Sequence, residues 1–161
     1  MRRWILLLVL FWLPLLHAKE MPSRLGVGYS NQFGLVGDLP SLAVRYYPNS
    51  DYGLMAALGV DTEKDNSRFG AQAKILKLIF KEDNLNFYTG AGAGIVSREV
   101  DGSTDSGFDL SGFMGAEFFF AGLENLGWNF EAGIGITSIS SEVRFRTIGD
   151  HPLKAGIFFY F

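Results

Sequence analysis

Two carboxylates, Glu117 and Glu131, stand a few residues on either side of one short connection, residues 121–127. Carboxylates brought that close on neighbouring strands have two chemical uses. They share a proton and serve as an acid/base pair or a proton path, or they stay ionised against cations placed between them. Arg45, Lys74 and Lys154 recur at positions of the same parity and supply those cations. Arg24, Arg68, Gln72, Arg98 and Asp109 follow the same parity. The expectation is therefore a structural set of charges, Arg45, Lys74, Glu117, Glu131 and Lys154, that balance one another inside the fold and carry out no catalysis.

Other residues with chemical potential lead less far. His151 is the only histidine after His17, and Ser138, Ser140 and Ser141 lie near it in the chain. A hydroxyl nucleophile needs a base that is itself oriented by a third group, and the His151-Pro152 context offers none. Asp101, Asp105, Glu142 and Asp150 are carboxylates in polar stretches, and the spacing from Asp101 to Asp105 is that of a calcium loop. The remainder of an EF-hand is absent. Gly90, Gly92 and Gly94 do not match the spacing of a dinucleotide loop, and no helical pattern follows them. They are expected to face inward opposite bulky partners such as Phe113, Phe119 and Phe158. The chain has no cysteine, so disulfides and thiolate metal sites are excluded. No catalytic, cofactor or metal residues are assigned.

The elements that must position these side chains alternate with period two, the mark of strands whose two faces differ. Eight such segments recur, near residues 24–33, 41–47, 52–61, 68–80, 85–98, 108–120, 128–141 and 153–161. The apolar face of the second, for example, carries Leu42, Val44 and Tyr46, and the other face carries Ala43, Arg45 and Tyr47. In the fourth, parity breaks at Leu76-Lys77, which predicts a bulge or a strand end. Connections at 48–51, 81–84 and 121–127 are short. Those at 31–39, 62–67, 99–107 and 142–151 are longer and more polar. Aromatics collect on the apolar face at strand ends: Tyr46, Tyr52, Phe87, Phe118, Phe120, Trp128, Phe130, Phe159 and Phe161 at one level, and Phe33, Phe69, Phe108 and Phe145 at the other.

Net charge is −3, and it falls further once Arg2 and Arg3 are removed, so no basic face points to nucleic acid. Arg2 and Arg3 precede an apolar run from Trp4 to Leu16 that ends at His17-Ala18. The run is short of the roughly 20 residues of a spanning helix and fits a secretory signal peptide, residues 1–18. Residues 19–161 then form one domain.

The last residues read Lys154-Ala155-Gly156-Ile157-Phe158-Phe159-Tyr160-Phe161. Gly156, Phe159 and Phe161 in this arrangement resemble the C-terminal assembly signal of bacterial outer-membrane β-barrels. With the whole-chain pattern, the mature chain resembles the small eight-stranded outer-membrane β-barrel proteins of Gram-negative bacteria, the class of the outer membrane protein A transmembrane domain. The resemblance implies an all-β, eight-stranded antiparallel transmembrane barrel with a cleaved signal peptide, short turns on the periplasmic side and aromatic girdles at both interfaces. It implies outer-membrane lipid and the barrel assembly machinery as partners, with an external loop partner unspecified. The expected role is a non-enzymatic one in membrane integrity or partner binding, through surface loops over a plugged lumen.

Two rivals stay open. Some barrels of this class modify lipid A, but His151-Pro152 departs from the His-x-Ser-Asn arrangement of the lipid A deacylases. A soluble, exported, lipocalin-like barrel would turn its apolar face inward. Residues 25–29 lack the Trp of the usual lipocalin Gly-x-Trp.

Overall fold

The computed structural model describes residues 21–33, 39–139, 142–147 and 154–161. The proposed signal peptide, residues 1–18, lies outside them. The strands are β1 (Leu25–Phe33), β2 (Leu39–Tyr46), β3 (Tyr52–Asp61), β4 (Arg68–Glu82), β5 (Leu85–Val100), β6 (Ser103–Phe120), β7 (Leu123–Ile139), β8 (Glu142–Thr147) and β9 (Lys154–Tyr160). Each of β1 to β7 pairs antiparallel with the next. β9 then pairs antiparallel with both β7 and β1, which closes the sheet on itself.

β8 and β9 share one place in this wall. β9 lies along the short-turn end of β7, from Leu126 to Glu131, and β8 lies along its loop end, from Ile134 to Ile139. The molecule is therefore an all-β, eight-stranded antiparallel closed barrel whose last wall position is filled by two segments. No helix occurs among the described residues.

The alternation in the sequence becomes two faces in space. Along β2, Ser41, Ala43 and Arg45 are buried while Leu42, Val44 and Tyr46 are exposed. The same inversion runs around the barrel, so that Leu54, Leu58, Ile75, Ile95, Leu110, Ile134 and Phe159 all point outward. A chain folding in water buries such side chains, because apolar area removed from water stabilises by roughly 25 cal/mol per Å². Here they cover the outside as one band, far beyond the scattered apolar residues of an ordinary surface.

The inside is narrow, and its aromatic rings fit because glycines face them. A Cβ on Gly26 would come within 2.5 Å of the Tyr160 ring, and one on Gly70 within 2.6 Å of Phe33. Tyr47 has Gly53 opposite it, Tyr88 has Gly115, and Phe113 has both Gly90 and Gly133.

Four expectations are corrected. The connection at 99–107 is not a long loop: β5 and β6 pair as far as Val100 and Ser103, leaving Asp101 and Gly102 as the turn. Both have positive φ, 51° and 79°, as an Asp-Gly type I′ hairpin requires. Residues 142–147 are strand β8 rather than loop. Phe33 is buried inside rather than placed on an outer belt, because a register irregularity between Ser30 and Phe33 puts Gln32 and Phe33 both inward. No break occurs at Leu76-Lys77 either. Leu76 and Leu78 are buried, Lys77 is exposed, and the irregularity falls between Leu78 and Phe80. The inward neighbours Leu76 and Leu78 join the buried apolar cluster with Tyr47 and Tyr88.

Candidate functional site

Arg45 on β2 is fully buried and stands at the centre of the lumen. Its Nη1 lies 3.2 Å from Glu117 Oε1 on β6, and its Nη2 lies 3.3 Å from Glu131 Oε1 on β7. Lys74 on β4 pairs with the other oxygen of Glu131. These four side chains are all buried, and their two positive charges match their two negative ones.

Tyrosines complete the shell. Tyr47 donates a 2.7 Å hydrogen bond to Glu117 Oε2, and Tyr160, on β9, donates to Glu117 Oε1. Tyr88, on β5, donates to Glu131 Oε1 at 3.0 Å and accepts from Arg45 Nη2 at 3.4 Å and from Asn129 Nδ2 at 3.4 Å. The Arg45 guanidinium also sits 4.7 Å from the Phe158 ring centre, and the Lys74 ammonium 4.4 Å from that of Phe113. Cations over aromatic faces gain about 2 kcal/mol or more when desolvated.

The ties join strands that are not neighbours in the wall. β2 is bound to β6 and β7 on the opposite wall, β4 to β7, β5 to β7, and β9 to β6. Ions held out of water need this density of partners, because charge attraction alone does not offset desolvation. At this level the arrangement fills the barrel and braces it across its diameter.

The structure brings together Arg45, Lys74, Glu117 and Glu131 of the expected charge set. Lys154 is buried and is the register partner of Glu131, but it stands outside the ion pairs that Glu131 makes with Arg45 and Lys74. Gln72 donates to Asp109 at 3.2 Å, nearer the loop end. Arg68 pairs with Asp61 where β3 and β4 leave the barrel, and Arg24 bonds Asn125 at the short-turn end. Arg98 is the register partner of Asp105. The three tyrosines and Asn129 had no assigned role in the sequence. The only available signal was a hydroxyl-bearing ring at an inward position otherwise occupied by glycine or charge.

Gly90 faces Phe113 as expected. Gly92 instead faces Lys74 and Ser111, and Gly94 faces Gln72, so Phe119 and Phe158 are not their partners. Ser138 is half-buried on β7, while Ser140, Ser141, Asp150 and His151 lie outside the described residues. Asp101 occupies the β5–β6 turn. No group of three or more His, Cys, Asp or Glu capable of holding a metal occurs among the described residues.

Gly156, Phe159 and Phe161 sit on the closing strand. Gly156 faces inward against Asn129 and Ser30, which leave no space for a Cβ. Phe159 and Phe161 are exposed on the outer face, their rings 5.3 Å apart edge to face, and Phe161 N–H donates to Leu25 O at 2.9 Å.

Comparison with known proteins adds no relative: no family model, no curated protein and no solved structure matches this chain.

Proposed function

We propose that the chain is an integral outer-membrane β-barrel protein, non-enzymatic, with a polar plugged lumen and surface loops that serve membrane integrity or bind an external partner. One observation carries this reading: a closed barrel turns a continuous apolar wall outward and encloses a charge-balanced, hydrogen-bonded interior. In hydrocarbon an open sheet edge would leave backbone groups without partners, and β9, paired with both β7 and β1, closes the wall over its short-turn half. The outward Tyr46, Tyr52, Phe118, Phe120, Trp128, Phe130 and Phe159 near the short turns support an interfacial girdle. The stacked Phe80 and Phe87, 5.2 Å apart, extend it along β4 and β5. The partners in this reading are outer-membrane lipid and the barrel assembly machinery, which would engage β9 through Gly156, Phe159 and Phe161.

The test is fractionation of the full chain carrying a tag at Gly102, followed by electrophoresis with and without heating. The expected outcome is recovery in the outer membrane with a heat-dependent mobility shift. Recovery as soluble exported protein would overturn the reading and favour a lipocalin-like binder of an apolar ligand.

A further inference from the structure

The outer wall carries a hollow across β3, β4 and β5. Ala56, Ala73 and Ala93 are register partners on the outward faces of β3, β4 and β5. Their short side chains leave a concavity of about 770 Å³, rimmed by Leu42, Leu58 and Ile95. Along β4 the same outward face continues from Ala73 through Ile75 to Lys77, about 13 Å away at the rise of an extended strand.

Lys77 is unusual in its setting. It is exposed, and its register partners are Tyr52 and Thr89, neither of them acidic. Between the level of Tyr52 and that of Phe69 and Phe108, it is the only charged side chain among the described outward positions. A cation on an apolar wall is costly unless its head reaches an anion or water. At the depth of the short-turn girdle, the anion a bilayer offers is lipid phosphate.

We propose that Lys77 and the alanine hollow together bind one glycerophospholipid from the leaflet at the short-turn end. The phosphate meets the Lys77 ammonium beside Tyr52. One acyl chain runs past Ile75 and lies in the hollow over Ala73. The proposal rests on the membrane-spanning reading above. Charge and shape point to the same occupant: the cation marks where a headgroup ends, and the hollow begins one chain segment further into the wall.

The experiment uses the full chain extracted in mild detergent, stripped of lipid, and titrated with palmitoyl-oleoyl-phosphatidylglycerol. Native mass spectrometry counts the bound lipid. One lipid retained per barrel is expected, with retention reduced about fivefold in Lys77→Gln, the effect of one basic residue at an anionic surface. The Ala73→Leu, Ala93→Leu double variant fills the hollow and should lose the lipid to a similar extent, while Lys81→Gln should not. The Lys77, Ala73 and Ala93 changes face outward, Lys81 lies at the exposed turn end, and the heat-dependent mobility shift verifies folding in each. Equal retention by wild type and Lys77→Gln would overturn the proposal. So would a lipid-free dimer that the alanine variants dissolve, which would make a second copy of the chain the occupant. Recovery of wild type as a soluble protein would instead remove the membrane reading beneath it.

Discussion

The two faces of β2 have opposite characters. Outward, Leu42, Val44 and Tyr46 are exposed and make no ion pair. Inward, Arg45 meets Glu117, Glu131 and Tyr88, and each of those groups has a further partner. On the membrane reading, the outer face is solvated by a fluid that accommodates almost any apolar side chain. The inner face is a set of ion pairs and hydrogen bonds around Arg45 in which each group holds another. The outer wall should therefore tolerate changes of size and reject charge. The inner wall should reject the loss of any one partner yet accept removal of the whole set.

Breaking one side of the inner set should have the largest effect. Glu117→Ala leaves Arg45 short of one carboxylate and strips the acceptor from the hydroxyls of Tyr47 and Tyr160. Removing one partner of a buried pair costs about 3–5 kcal/mol. Urea unfolding of the refolded barrel in lipid vesicles measures the loss. Replacing Arg45, Lys74, Glu117 and Glu131 together by apolar residues of similar volume should cost much less. An equal penalty for the single and the fourfold change would contradict the matched-set account.

Charge on the outer wall should rank next. Leu110→Arg on β6 places a cation on the outward side near mid-height, at about 2–4 kcal/mol if that side meets lipid, whereas Val143→Arg on the exposed β8 should cost about 0–1 kcal/mol. The same unfolding assay in vesicles compares the two. Equal, small penalties would count against lipid around β6.

Steric tolerance separates the faces at a third level. Gly26→Leu drives a side chain into the Tyr160 ring, at about 1–3 kcal/mol of overpacking. Gly112→Leu on the outward face of β6 meets nothing within 4 Å and should be close to neutral. Thermal mobility-shift midpoints of the two variants give the comparison. The smallest effect belongs to the β5–β6 turn. Gly102 has φ 79°, and Gly102→Ala should cost roughly 1 kcal/mol there, with no change in barrel closure as read by protease resistance.

Much of the fold was legible because parity is a local property. Outward apolar residues alternate with polar or charged ones on β6 and with small or mixed ones on β2, β3 and β9, and the observed faces follow that alternation. Parity says which way a side chain points but not how high it stands in the barrel. For that reason the meeting of Arg45 with Glu117 and Glu131 was readable, while the exclusion of Lys154 from those pairs was not. Parity also fails at bulges, as Phe33 shows. It is easily missed in β8, where Val143 and Phe145 alternate with Glu142, Arg144 and Arg146 over only six residues, too short a run to stand out from a polar loop. The tyrosine hydroxyls were hidden for a different reason. An inward ring reads as packing, and its oxygen gains a role only when the opposite wall is known to carry a carboxylate.

Tyr160 has one further consequence. Sliding β9 by one residue would turn its apolar side chains inward, an error that hydrophobicity alone corrects. Sliding it by two preserves both faces, so the outward pattern cannot detect the mistake. The interior can: a two-residue shift one way puts Phe158 where Tyr160 stands, and Glu117 then meets a ring with no hydroxyl to donate. The charged layer thus works as a vernier for the closing strand, distinguishing alignments that the outer wall treats as equivalent.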